Sequence, residues 1–318
     1  MDKTTTKDVR ESFSTVNPRH QIGWDSTSLG CLKRCPRYYE YNIIEGYVTR
    51  LESVHLRFGS EYNNALVTYH KQRALGRTKE ESLLSAVRYA MEHTWDYTLN
   101  RPWTSDEPTK TRETLVRSVI WYLDQFVDDP AETAILADGS AAVELPFRID
   151  IDVASSLTGE NYLLCGYLDR KVEFLGSAWI TDWKTTKGML DEKYFAGYSP
   201  NNQVSLYTLA GTIIDHSPIA GVIIDAAQMA VTFTRFQRAH IGRTPPQLEE
   251  WLRDAIIVIR QNEAYVEANY WPQNDTACTQ YGGCPYRAVC SVSPDIRSRL
   301  LEGLYQRRKW DPLVVREI

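Results

Sequence analysis

Gly166-Tyr167-Leu168-Asp169-Arg170-Lys171-Val172, followed by Trp179-Ile180-Thr181-Asp182-Trp183-Lys184-Thr185-Thr186, is the stretch that decides the fold. In the first run Leu164, Gly166, Leu168 and Arg170 alternate with Cys165, Tyr167, Asp169 and Lys171, which is the period of a β-strand. Asp169 therefore ends an apolar strand on one face. In the second run Asp182 and Lys184 are two apart and share a face. Residues 170–181 leave room for a hairpin that brings both aspartates to one sheet surface. Paired carboxylates there are hard oxygen ligands suited to Mg2+ or Mn2+, with Lys184 beside a metal-bound water. An Asp-x-Lys triplet alone is most simply a set of surface charges, because both residue types are usually exposed. The setting argues otherwise: Asp182 follows Trp179 and Ile180, and aspartate is depleted from strand interiors.

These residues resemble the PD-(D/E)XK nucleases and, within them, the RecB-like branch. The resemblance rests on Gly166 to Lys171, on Thr181 to Thr186, and on Gln203-Val-Ser-Leu-Tyr207, which is similar to that branch's Q-x-x-x-Y motif. Upstream, Phe58-Gly-Ser-Glu61-Tyr-Asn63-Asn-Ala-Leu66 resembles its first helical motif. The likeness implies an α/β, restriction-endonuclease-like core, a mixed central sheet flanked by helices, here with a helical insertion and a C-terminal cysteine loop. It implies Asp169, Asp182 and the backbone carbonyl of Trp183 as metal ligands, and Lys184 as the group that orients or deprotonates the attacking water. Gln203 and Tyr207, one helical turn apart, are then placed to contact the strand or the metal-bound phosphate. The branch normally carries a metal-binding histidine in the first motif, and Asn63 stands in its place. The carbonyl oxygen of Asn63, the carboxylate of Glu61 or a water is left to serve as that ligand.

Cys278, Cys284 and Cys290 recur at equal spacing around Gly282-Gly283, a tight loop able to gather three sulfurs about one centre. A fourth thiolate is needed. Cys35, in Cys35-Pro-Arg-Tyr-Tyr39, resembles the N-terminal cysteine of RecB-like iron-sulfur nucleases, with Cys31 as its neighbour and rival. Spacing leaves a 4Fe-4S cluster and a structural Zn2+ equally open, since both take four cysteines; the resemblance implies the cluster. Cys165, within a strand, reads as a buried thiol. The residues after Met1 are polar, so no signal peptide or anchor is expected, and a cytoplasmic protein (host cytoplasm if viral) has little use for disulfides.

The chain has 318 residues and a formal net charge of -5, so attraction to nucleic acid must come from local basic patches rather than from bulk charge. Candidates are Lys33, Arg34 and Arg37; Arg170, Lys171, Lys184 and Lys187; Arg235, Arg238 and Arg243; and Arg307, Arg308 and Lys309. Residues 1–22 read as a mobile N-terminus, and 23–318 as one nuclease domain: a mostly helical part (23–135), a catalytic core (136–240) and a helix with a cluster-binding part (241–318). Helices are expected over 58–75, after the Thr78/Glu81 capping box with Leu84, Val87, Met91 and Trp95 as its buried stripe, and over 111–127 with Leu115, Val119, Leu123 and Phe126 inward. Strands are expected over 142–153, 162–174, 178–183, 221–225 and 230–236, with a helix through 203–210 before the last two. Another helix starts at Thr244-Pro245, with Leu248, Leu252, Ile256 and Ile259 inward.

The resemblance to iron-sulfur exonucleases of CRISPR adaptation and recombinational repair implies a DNA exonuclease acting on single-stranded ends. No Gly-x-x-x-x-Gly-Lys-[Ser/Thr] loop is present, so unwinding falls to a helicase or another recombination or adaptation partner. Two other readings stand beside it: a catalytically weak DNA-binding adaptor subunit, and an RNA-processing nuclease on the same fold. No membrane association is expected.

Overall fold

The computed structural model describes residues 11–50 and 53–313. They fall into two compact units that interleave in the chain instead of following one another. A terminal unit draws on 1–51, 147–166 and 249–317, and a central unit on 52–146 and 167–248.

The central unit is built on the hairpin expected from the opening stretch. Strand Asn161–Phe174 pairs antiparallel with Ser177–Thr186, in register from Arg170 opposite Thr181 to Phe174 opposite Ser177. Ser177–Thr186 then runs parallel to Ile219–Met229, placing Asp182 beside Ile224 and Lys184 beside Ala226. Thr234–Gly242 closes the order antiparallel to Ile219–Met229. Because a parallel pair needs a crossover, helix Asn202–Asp215 lies between the two parallel strands in sequence. It packs closely enough that a Cβ on Gly211 would meet the side chains of Ile180 and Ile219. Ile219–Met229 is buried almost throughout, as a strand covered on both faces must be. The opposite face carries helices Val54–Ala74, Lys79–His93 and Arg112–Gln125, whose Phe58, Tyr62, Leu66, Leu115, Val119 and Tyr122 form one core with Trp183, Ala227 and Met229.

Two expected faces turn out otherwise. The Thr78/Glu81 capping box forms, but helix Lys79–His93 buries Ser82, Ala86 and Ala90, leaving Leu84 and Met91 exposed and Trp95 beyond its end. Counting large apolar residues overlooks a seam of small ones, where the helix approaches its neighbours closely. In helix Pro245–Glu267 the inward row is Leu248, Trp251, Ala255 and Ile259, with Trp251 and Ala255 in place of the expected Leu252 and Ile256. The expected strand at 230–236 begins only at Thr234, because the Ala230 N–H donates to the Phe233 carbonyl and closes a hairpin turn.

In the terminal unit, residues 11–22 are packed where a mobile segment was expected; residues 1–10 lie outside the described residues. Phe13 bridges to Gln21, and Phe13, His20 and Gln21 are buried. Gln21 donates to the Gly23 carbonyl and accepts from the Tyr39 hydroxyl at 2.9 Å. The early and late segments of this unit meet directly. Tyr47–Thr49 pairs antiparallel with Tyr305–Arg307, and Arg37 donates through Nε to the Trp271 carbonyl at 2.7 Å.

Candidate active site

The hairpin register delivers Asp169 and Asp182 to one place in the central unit, and both are buried. One Asp169 oxygen accepts the Trp183 backbone N–H at 3.2 Å. Lys184 Nζ donates to Asp182 Oδ1 at 2.8 Å and lies 2.7 Å from Oδ2, an ion contact without a directed hydrogen bond. The same ammonium donates to Gln203 Oε1 at 2.9 Å, and Gln203 Nε2 donates to the Tyr207 hydroxyl at 3.0 Å. The Asn201 side chain caps helix Asn202–Asp215 by accepting the Gln203 and Val204 N–H groups, which aims the first helical turn at Lys184. Five of the residues singled out in the sequence thus form one connected set.

Electrostatics follow from burial. Loss of water, then the charge of Asp182, pushes the Asp169 carboxyl well above the usual carboxylate range. Burial alone lowers the Lys184 pKa, but Asp182 and Asp169 outweigh it and hold the ammonium protonated. Two carboxylates pressed together without solvent favour any cation placed between them, and their oxygens are the donor type that Mg2+ or Mn2+ takes.

Asn63 and Glu61 separate cleanly. Gly59, Asn63 and His70 share a stripe of helix Val54–Ala74. A Cβ on Gly59 would stand 3.5 Å from the Thr185 hydroxyl, and His70 stacks on Trp183 with centroids 5.8 Å apart. The stripe therefore meets the side of strand Ser177–Thr186 that carries Trp183 and Thr185, and the Asn63 Oδ1 is buried without a hydrogen bond. Glu61 lies on another flank, accepting from the Tyr89 hydroxyl at 3.1 Å.

Three neighbours escaped the sequence reading. Glu144, held at a left-handed φ of 49°, is near enough for its charge to help raise Asp169 and Tyr207. Tyr194 and Tyr198, with hydroxyls 3.2 Å apart, sit within electrostatic reach of Asp182. Nothing in spacing marks them, since a single Glu before Leu145-Pro146 and tyrosines in or just after the short helix Glu192–Ala196 are common. The basic clusters are partly spent on structure. Arg170 and Arg238 pair with Asp129, Arg238 also binds Asp225, and Arg37 pairs with Glu40.

In the terminal unit Cys35, Cys278, Cys284 and Cys290 line one cavity together with Arg34 and Tyr38. All four are free and partly buried. The Asn274 N–H reaches Cys35 Sγ at 3.3 Å, and the Cys284 N–H donates to the Cys278 carbonyl at 3.0 Å. Burial raises the Cys284 and Cys290 thiols. Cys31 is not among the lining residues and is pushed up to about 12 by burial. Cys165 is fully buried, as expected. Among the described residues no group of three or more His, Cys, Asp or Glu side chains is drawn into metal-holding geometry. The sulfur lining nevertheless fits a thiophilic group in kind and number.

A sequence profile of the PD-(D/E)XK nuclease superfamily matches residues 26–291, spanning both sites. The chain belongs to that superfamily. No curated protein sequence matches it. Among solved structures this superfamily member is similar to a candidate exonuclease from Eubacterium rectale, with a TM-score of 0.46 and 12% identity over 89% of this chain and 93% of the other. It is also similar to SSO0001, with a TM-score of 0.29 and 11% identity over 75% and 77%. The mixed sheet flanked by helices agrees with the superfamily core. No helix among the described residues is long and apolar enough to cross a membrane.

Proposed function

We propose that this protein is a divalent-metal-dependent nuclease that hydrolyses DNA, acting as an exonuclease on single strands or strand ends, with a 4Fe-4S cluster held by Cys35, Cys278, Cys284 and Cys290. The observation that carries the reading is the junction of Asp169, Asp182 and Lys184, with Lys184 tied to Gln203. Asp169, Asp182 and the Trp183 carbonyl would hold Mg2+ or Mn2+, with Asn63 in preference to Glu61 as the further oxygen donor. When bound, the ion supplies Lewis acidity at the phosphate and a more acidic water. The rest is done by the chain. Lys184, kept protonated by two carboxylates, orients the attacking water and offsets the charge that develops on the phosphoryl oxygens. Gln203 fixes the ammonium by accepting from it while donating to Tyr207, and the buried Tyr207 hydroxyl stays protonated.

The adaptor reading draws on Asn63 alone. The intact Asp169, Asp182 and Lys184 count against it. An air-free preparation, assayed for iron, zinc and visible absorption and incubated with end-labelled single- and double-stranded DNA plus Mn2+ or Mg2+, tests both halves. Cleavage that depends on the divalent ion, in a brown iron-containing protein, is expected. Zinc without iron overturns the cluster assignment, and absence of cleavage with either ion returns the adaptor.

A further inference from the structure

We propose that a groove beside a small hairpin in the central unit binds a short single-stranded stretch of the nucleic acid, away from the scissile bond. The inference rests on the nuclease reading and adds where the strand is held. Trp95–Asp96 and Arg101–Pro102 pair antiparallel, Trp95 opposite Pro102, and open a groove of about 520 Å3 walled by Arg57, Trp95, Tyr97, Arg101 and Trp103. Three aromatic rings and two guanidinium groups thus share one concave surface on a chain whose net charge is -5.

The placement of these groups suits one kind of occupant. Arg57 stands 4.9 Å over the Trp103 ring and, behind the groove, Arg112 stands 5.3 Å over Trp95, so the rings are braced by cations. Tyr97 is 74% exposed, unlike the tyrosines of the two cores, and Arg101 is exposed beside it. The one carboxylate lining the groove among the described residues, Asp96, accepts the Thr98 and Leu99 N–H groups at 3.0 Å each and so closes the hairpin turn. Rings that take base faces and cations that take phosphates are the two components of single-strand binding. A duplex keeps its base faces stacked and offers the rings nothing. The groove is also joined to the catalytic rim along the chain. Trp103 precedes Glu107 by four residues, and Glu107 holds Lys187 at 2.9 Å, three residues beyond Lys184.

The test uses the full chain with Ca2+ in place of Mg2+ or Mn2+ to suppress cleavage, a fluorescein-labelled oligothymidylate as probe, and anisotropy as readout. Tyr97→Ala is expected to weaken binding about tenfold. Arg101→Ala is expected to weaken it and lower the salt dependence by about one unit of slope. Trp103→Phe, which keeps a ring, should bind close to wild type. In Mn2+, Tyr97→Ala should raise KM on long single strands with kcat unchanged, and leave strands too short to reach the groove unaffected. Thermal melting of Tyr97→Ala should match wild type, because the side chain is exposed. A wild type that cleaves while all three variants bind as it does overturns the groove alone. So does an equal loss of affinity for a blunt duplex. A wild type that neither binds nor cleaves overturns the groove together with the nuclease reading.

Discussion

Asp182 and Lys184 meet two residues apart on one strand, whereas Cys35 shares its cavity with cysteines from residues 278–290, at the other end of the chain. The two places also differ in how finished they are. Around Lys184 most polar groups engage one another: the ammonium binds Asp182 and Gln203, Gln203 binds Tyr207, and Asp169 accepts from Trp183, while Asp182 Oδ2 is left without a hydrogen bond. Strand register and one helix cap set that geometry from within the chain. Around the cysteines, burial raises the Cys284 and Cys290 thiols, and the four sulfurs line one cavity. The first is a preorganised site. In the second, the proposed cluster or zinc would draw the four sulfurs together, which would couple metal loading to the folding of the terminal unit.

The largest expected effect tests the preorganised half. Lys184→Ala should lower cleavage by about 10²–10⁴-fold while leaving affinity for a DNA strand nearly unchanged. It also leaves the Asp182 carboxylate buried beside Asp169 with no cation, so the metal-free variant should melt below wild type, with Mn2+ restoring part of the difference. Wild-type rates from Lys184→Ala would remove the lysine from the chemistry.

The cysteine half is expected to respond in stability more than in catalytic chemistry. Cys284→Ser should lose bound iron, or zinc, and melt several degrees lower than loaded wild type, on the scale of ~1–3 kcal/mol for a domain this size. Cys31→Ser and Cys165→Ser should keep the metal, because Cys31 is not a lining residue and Cys165 lies inside a strand. Metal content and melting of the three variants decide this, and loss of metal from Cys31→Ser would redraw the ligand set.

A smaller effect separates Asn63 from Glu61. Asn63→Ala is expected to raise the Mn2+ concentration needed for half-maximal cleavage about tenfold, while Glu61→Ala changes it little. Equal responses would mean that neither flank of the helix is privileged, and the stripe that joins Gly59, Asn63 and His70 would lose its meaning.

How far the sequence could be read follows the same contrast. The hairpin of Asp169 and Asp182 was legible because its signals are local: alternation, a hydrophobic approach to Asp182, and a following helix carrying Gln203 and Tyr207. The small-residue seam of Ser82, Ala86 and Ala90 was not, since apolar periodicity weighs bulk and close packing rewards its absence. Arg170 and Arg238 read as a basic surface because their partners, Asp129 and Asp225, are distant in sequence or hidden in a neighbouring strand. Residues 11–22 read as mobile because a polar segment can be ordered by contacts such as Gln21 with Tyr39, which composition does not register. Glu144 joins the site through a left-handed backbone and a strand start, which no motif announces.

Lys110 offers an internal control for Lys184, since the same unit buries a second lysine without a carboxylate against it. Its Nζ makes no hydrogen bond and lies 4.3 Å from the Phe58 ring centroid, and its side chain is 1% exposed. Burial brings its pKa down to about 8 from 10.5, only partly offset by Glu107, which is itself engaged by Lys187. The folded state therefore holds this proton less well than the unfolded chain. Between pH 8 and 10.5 the unfolded state binds more protons, so wild-type stability gains with rising pH there, and below 8 the full penalty remains. Lys110→Met keeps the length and contact with Phe58 while removing the charge. It should stabilise the protein at pH 7 by roughly 1–3 kcal/mol, less whatever the ring contact returns, with the gain shrinking as pH climbs past 8. Denaturant melts of both proteins at pH 7 and pH 10 measure it. A variant less stable than wild type at pH 7 would mean that the Phe58 ring compensates this cation as fully as Asp182 does Lys184, and that burial without a carboxylate carries no penalty here.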